Sequence, residues 1–274
     1  MSRTELPVYL FGQSGLAALT NFIEPATLIG FDLDGTLAPI VSDPAAIGIP
    51  DAIRKEFTRL AAQASVAVIT GRSRQDAFMR LGAAPRYLIG NHGAEGLPAW
   101  LENKNEFIRT TGDWQNQLES LLPLEGRAGI VIENKGATLS IHYRQAQNRS
   151  ATHALILSAI ARLLPQPRRI GGKCVENLLP AGAPDKGAAF YLLMQQEGFS
   201  KGFFIGDDET DESVFRLDQE NIFTVRVGKT TGSRASFYLQ NQHEVARLLS
   251  TLNALHERIS QLAATIPNIG NAND

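Results

Sequence analysis

Residues 27–36 read TLIGFDLDGT, and this stretch decides the fold. Residues 27–31 are apolar or small with no polar alternation, which suits a strand covered on both faces of a parallel sheet. The run stops at Asp32-Leu33-Asp34-Gly35-Thr36. Two carboxylates two apart at a strand tip can share one hard cation, the first through its side chain and the second through its backbone carbonyl. The second side chain is then free to move a proton. Gly35 permits a sharp turn and a close approach of backbone N–H groups to a phosphate. A carboxylate attacks phosphorus poorly unless a metal offsets its repulsion with the phosphate oxygens. Calcium loops and surface turns also carry Asp-x-Asp, but the strand before it and the Gly-Thr after it favour the catalytic reading.

Further along the chain, residues 65–70 (SVAVIT), 86–90 (RYLIG), 202–206 (GFFIG) and 221–227 (NIFTVRV) have the same character. Helical patterns lie between them at 51–63 behind Pro50, at 73–81 with Ser73 as N-cap, and at 186–196. This alternation predicts an α/β fold with a doubly wound parallel sheet and chemistry at the carboxyl ends of the strands. The middle differs. Residues 130–133 and 137–144 are strand-like around the turn Asn134-Lys135-Gly136, 173–178 is another short strand, and 113–122 and 150–164 are amphipathic helices. Residues 107–181 are therefore expected to form an inserted α+β cap, with 1–106 and 182–274 as the catalytic core. The PAGAP run at 180–184 suits a hinge. A last helix is expected at 243–264, with Val245, Leu248, Leu249, Leu252, Leu255, Ile259 and Leu262 on its apolar face, followed by a loose tail at 267–274.

A second crowd of acids, Asp207-Asp208-Glu209-Thr210-Asp211-Glu212, follows the apolar run 202–206. Unpaired, these carboxylates repel one another, and a divalent cation removes that penalty. A capped helix start, with Asp207 or Asp208 as N-cap, is compatible with the same residues. Oxygen-only ligands point to Mg2+ rather than zinc. Thr70-Gly71-Arg72-Ser73 ends a strand where a hydroxyl and successive N–H groups can hold a phosphate at a helix N-terminus. Lys186 opens a helix and can neutralise phosphate charge. Alone, each of these two pieces is an ordinary turn or surface lysine.

The chain of 274 residues is 43% apolar and 20% charged, with a net charge of −2, as expected of a globular enzyme. That balance argues against a broad nucleic-acid or anionic-membrane surface, leaving only a local basic pocket around Lys173 and Lys186. Cys174 is the single cysteine, so no intrachain disulfide can form. No apolar run is long enough to span a bilayer and the start lacks a signal-peptide pattern, so the expected compartment is the cytoplasm.

Taken in order, DLDGT, Thr70, Lys186 and GDDETD resemble the haloacid-dehalogenase superfamily of phosphohydrolases. FDLDGTLAPI, VITGRS, GNHGAE, IENKG with IHYR, GKCVE, DKG and GDDETDES are similar to one branch of it, the trehalose-6-phosphate phosphatases. The resemblance implies that Asp32 attacks phosphorus to form an aspartyl phosphate, while Asp34 protonates the leaving sugar oxygen and later activates water. Thr70 and Lys186 would hold the phosphoryl group with Gly71 and Arg72. Asp32, the Asp34 carbonyl and Asp207 would bind Mg2+, with Asp208 and Asp211 in support. Asn91, His92 and Glu95 from the core, and Glu133, Lys135, His142, Arg144, Glu176 and Asn177 from the cap, would meet the sugar. Cross-strand pairing is the plainer reading of His142 and Arg144.

One departure stands out. Where the family shows acid, apolar, basic, Pro, this chain has Glu176-Asn177-Leu178-Leu179-Pro180. The acid is one place early, and a one-place shift in a strand reverses the face that it serves. The expected reaction is hydrolysis of trehalose 6-phosphate, in trehalose biosynthesis, with a trehalose-phosphate synthase as an implied partner. Sucrose phosphate or glucosylglycerol phosphate as substrate, a sugar phosphomutase, and an inactive regulatory module are the alternatives. Release of free phosphate separates a hydrolase from a mutase, and intact Asp32, Asp34, Lys186 and Asp207 weigh against an inactive module.

Overall fold

The computed structural model describes residues 7–40, 48–97, 104–122, 127–172, 174–217 and 219–265. Lys173, residues 1–6 and the tail at 267–274 lie outside the described residues. In chain order the strands are β1 (Val8–Tyr9), β2 (Thr27–Phe31), β3 (Val66–Ile69), β4 (Tyr87–Ile89), β5 (Val131–Asn134), β6 (Leu139–His142), β7 (Arg168–Gly172), β8 (Val175–Leu179), β9 (Lys201–Gly206), β10 (Ile222–Val227) and β11 (Phe237–Leu239). The α-helices are α1 (Gln13–Phe22), α2 (Asp51–Gln63), α3 (Arg74–Leu81), α4 (Lys104–Leu121), α5 (Arg149–Ile160), α6 (Lys186–Glu197), α7 (Glu212–Phe215) and α8 (Val245–Thr265).

A seven-stranded sheet runs in the order β1-β11-β10-β9-β2-β3-β4, every neighbouring pair parallel. The chain leaves β2 for β3 on one side and returns at β9 on the other, so the tip of β2 is the switch point where a doubly wound sheet opens a crevice. Successive residues of β2 serve opposite faces. Ile29 and Phe31 pack with Phe57, Leu60, Leu248 and Leu252 of α2 and α8, while Leu28 packs with Phe190 and Leu193 of α6. Two-sided burial explains why these strands read as unbroken apolar runs.

Helix α8 buries Val245, Leu248, Leu249 and Leu252 completely, but Leu262 is 57% exposed. Helix α2 meets α8 through Asn253 and Glu257, and Leu262 lies more than a turn beyond that contact. The expected apolar face is therefore correct up to Ile259 and ends there. Among the described residues no helix is long and apolar enough to cross a membrane.

The second sheet is four-stranded and antiparallel, in the order β5-β6-β8-β7. Leu139, Ile141 and Leu178 on one face pack against Trp114 and Leu118 of α4 and Ile156 and Ile160 of α5. The alternate residues Ser140, His142 and Asn177 occupy the other face, which meets the strand tips of the large sheet. Helix α4 starts well before the expected position at 113, and β1, α1, β7 and β11 had no clear sequence signal. In β7 (RRIGG) two arginines and two glycines hide an edge strand. The PAGAP run is tied down, with Ala183 N–H donating to Pro180 O at 3.1 Å and Arg168 donating to Ala183 O at 2.7 Å.

Candidate active site

Each core position named from the sequence sits just beyond a strand tip or at a helix start. Asp32 follows β2, its N–H donating to Ile205 O of β9 at 2.9 Å. Thr70 follows β3 and is fully buried, and Asp207 follows β9. Lys186 begins α6, whose N-cap Asp185 accepts the N–H of Ala188 at 2.8 Å. A lysine in the first turn of a well-capped helix is aimed at the sheet crevice, and here it is 3% exposed.

Lys186 Nζ donates to Asp32 Oδ1 at 2.7 Å and to Asp211 Oδ1 at 2.8 Å. Carboxylate oxygens of Asp32, Asp207 and Asp211 all lie within 4.8 Å of one another. Three carboxylates against one ammonium leave two negative charges, which one divalent cation would balance. Burial pushes the Asp32 carboxyl well above the usual carboxylate range; Asp211 and Asp207 add to that, and Lys186 opposes it. Burial works to discharge Lys186, but Asp211 and Asp32 outweigh it and hold the ammonium protonated.

The oxygen donors fit a hard cation such as Mg2+. Room for it comes from Gly35, whose φ is +89°: a Cβ there would fall 2.1 Å from Asp207 Oδ2. Only a residue without a side chain leaves that carboxylate face open. Asp208 stands apart from this cluster, as the N-cap of the short 3₁₀ turn Glu209–Asp211. Asp211 replaces it in the cluster because that turn folds position 211 back, and its Oδ2 accepts the N–H groups of Asp207 and Asp208, both at 3.0 Å.

Asp34 points elsewhere. Both of its carboxylate oxygens accept from Arg72, at 2.6 and 2.8 Å. Gly71 packs beneath His92, whose Cε1 would be 2.4 Å from a Cβ at that position. His92 is held neutral, well below its ordinary value, first by burial and then by the charges of Lys135 and Lys186. It pairs with Asn177, and its Nδ1 has no hydrogen-bond partner among the described residues.

The strand tips meet the hairpin β5–β6 through Asn91 and Lys135. Asn91 Nδ2 donates to Glu95 Oε2 at 3.1 Å and to Lys135 O at 3.0 Å, while its Oδ1 accepts from Thr138 at 3.3 Å. Lys135 Nζ reaches Gly71 O at 3.1 Å and stands 3.7 Å from Glu133, which in turn holds His142 at 2.9 Å. Glu133 and His142 thus share one hydrogen bond, and Arg144 lies just beyond β6. Glu176 faces the opposite way, buried against His153 of α5 at 2.7 Å and Arg169 at 3.5 Å. Asn177 takes the site-facing position, accepting from Ser140 at 2.7 Å.

Asn91 is 1% exposed and has a φ of +51°, so Asn91→Ala would strand buried partners and put alanine in the left-handed region. Urea unfolding is expected to show a loss of about 2–4 kcal/mol. A change below about 0.5 kcal/mol would show that Asn91 does not hold this junction together.

Residues 30–243 match the family model described as Trehalose-phosphatase. The chain is 32% identical over 226 residues to the trehalose-6-phosphate phosphatase of Escherichia coli, covering 78% of this chain and 82% of that protein. The C-terminal domain of the C. albicans trehalose-6-phosphate phosphatase has a similar fold, with a TM-score of 0.68 and 21% identity, covering 93% of this chain and 99% of that one. The sucrose-phosphatase from Synechocystis in complex with sucrose and phosphate is similar at a TM-score of 0.56 and 19% identity, covering 85% of this chain and 98% of that one.

Proposed function

Because the chain belongs to the trehalose-phosphatase family, we propose that it hydrolyses trehalose 6-phosphate to trehalose and phosphate through a phosphorylated Asp32. The observation that carries this reading is the group of buried Asp32, Asp211 and Lys186 with half-buried Asp207 at the switch point of the sheet. Asp32 and Asp207, with the carbonyl of Asp34, would hold Mg2+, and Asp211 would support them from behind. When bound, the cation supplies charge that offsets repulsion between nucleophile and phosphate.

The side chains divide the remaining work. Asp32 forms a bond to phosphorus as the sugar oxygen leaves, and Asp34 gives that oxygen its proton. Thr70 and Lys186 align the phosphoryl group and neutralise its charge, which is most of what phosphoryl transfer asks of a protein. Water then attacks phosphorus, Asp34 takes the proton, and Asp32 is regenerated as phosphate departs.

We read residues 107–181 as the cap, mounted on a core made of 1–106 and 182–274. Recognition of the sugar falls to the face carrying Glu133, Lys135, His142 and Asn177, with His92 buried beneath it against Asn177. Asn91 and Glu95 are committed to the junction and support the site from outside the sugar. The outward turn of Glu176 leaves a neutral amide where the family pattern has an acid. That observation favours a second substrate reading, another glycosyl phosphate such as sucrose phosphate or glucosylglycerol phosphate. The single cysteine suits a reducing compartment, so we assign the enzyme to the cytoplasm, with a trehalose-phosphate synthase as the source of its substrate.

Phosphate release across a panel of sugar phosphates, with magnesium present, tests the substrate. The highest kcat/KM is expected with trehalose 6-phosphate; equal values across the panel would remove the specific assignment. EDTA is expected to lower activity by more than about 100-fold and added magnesium to restore it. Full activity in EDTA would exclude the cation site.

A further inference from the structure

Arg72 is held more tightly than a phosphate-binding arginine needs to be. Its Nε and Nη2 donate to the two oxygens of Asp34 at 2.6 and 2.8 Å, and Nη1 donates to Asp76 at 2.6 Å. One guanidinium is therefore clamped between two carboxylates, with a planar fork on Asp34. Asp76 is itself fixed. Arg80 Nε contacts its oxygens at 3.0 and 3.1 Å, and its N–H is capped by Ser73 Oγ at 3.3 Å at the start of α3. The backbone of Arg72 is pinned as well, its N–H donating to Thr70 Oγ1 at 3.2 Å and its carbonyl accepting from Asn91 at 2.7 Å.

We propose that Arg72 is a positioning residue: clamped by Asp76, its guanidinium fixes the plane and direction in which the Asp34 carboxyl meets the scissile oxygen and, later, the attacking water. The inference rests on the reading of Asp32 as nucleophile and Asp34 as proton carrier. A sugar alkoxide is a poor leaving group, so the bond from phosphorus to the sugar oxygen breaks only as Asp34 delivers its proton. In the second half, water bonds to phosphorus, Asp34 receives its proton, and the bond from Asp32 to phosphorus breaks. An unaligned carboxyl fails in both halves. p-Nitrophenolate, in contrast, leaves without a proton, so only the second half of its reaction depends on Asp34.

The test uses the full-length enzyme with magnesium, in rapid mixing with p-nitrophenyl phosphate and in steady state with trehalose 6-phosphate. Arg72→Lys keeps the charge and loses the fork. It is expected to give a burst of about one nitrophenolate per enzyme, then turnover slowed by about 10²–10³-fold. With the sugar phosphate, kcat is expected to fall by a similar factor while KM changes by less than about threefold. A rise in KM with unchanged kcat, accompanied by weaker inhibition by inorganic phosphate, would overturn the proposal and make Arg72 a phosphate ligand.

Asp76→Asn loosens the clamp without touching the fork and is expected to lower kcat by about 3–10-fold, again with a burst. It carries the test if Arg72→Lys does not fold, and an unchanged kcat for it would overturn the clamp. Asp34→Asn separates the two levels of inference. A burst in Asp34→Asn but not in Arg72→Lys would sink the Arg72 inference alone. No burst in Asp34→Asn would sink the proton-carrier reading beneath it.

Discussion

Asp32→Asn is expected to abolish phosphate release, a loss of at least about 10⁴-fold, while the protein stays folded. The amide keeps the size of the carboxylate but has no lone pair basic enough to attack phosphorus at a useful rate. Uncatalysed phosphate-monoester hydrolysis is among the slowest reactions known, so no background route makes up the loss. The melting temperature of the metal-free variant should be equal to or above that of the parent. Asp32 is buried, so a neutral amide removes the cost of stripping water from its charge and the repulsion from Asp211 and Asp207, which together outweigh the lost pairing with Lys186. Acid quenching during turnover should trap phosphate on the parent protein and none on the variant. Retention of more than about 1% of the parental rate would show that another group is the nucleophile.

Lys186→Met should damage both activity and stability. The ammonium is 3% exposed and bridges Asp32 and Asp211, so its removal leaves two carboxylates buried without their counterion. Breaking a buried ion pair from one side costs about 3–5 kcal/mol, enough to lower the melting temperature of the metal-free protein by roughly 10 °C. Magnesium should recover part of that loss, because it supplies the missing positive charge to the same oxygens. The rate should fall by about 10²–10³-fold even with saturating magnesium, as the proposed role of Lys186 as a donor to the transferring phosphoryl group requires. Calorimetry with and without magnesium, paired with phosphate release, reads both effects. A melting temperature within about 2 °C of the parent would mean that the bridge has little structural weight.

The strand tips of the candidate site were legible because their signal is local. A buried parallel strand writes itself as a continuous apolar run, and the polar residue that ends it marks the crevice: Asp32, Thr70 and Asp207 all follow this rule. Other features depend on distance in space and left no such trace. Arg72 and Asp34 are 38 positions apart, and nothing in either neighbourhood says that the arginine forks onto that carboxyl. Asp211 rather than Asp208 joins the carboxylate cluster because a 3₁₀ turn, not a full α-helical start, follows β9. The outward turn of Glu176 was legible only as a shifted pattern; the pairing of Glu176 with Ile141 assigns it to the helix-covered face. Strand β1 is two residues long, too short for any periodicity to register.

That short strand and the last helix bear on how the protein can be handled at the bench. A fragment trimmed to begin at β2 and end before α8 would keep every residue assigned to chemistry, yet it would be a poor reagent. It would bare the β11 border that β1 covers and uncap Phe57 and Leu60 where α8 lies. Such a truncation should come out of expression sticky and prone to aggregate. The stretch that carries the proposed chemistry is thus smaller than the stretch needed to keep it in solution.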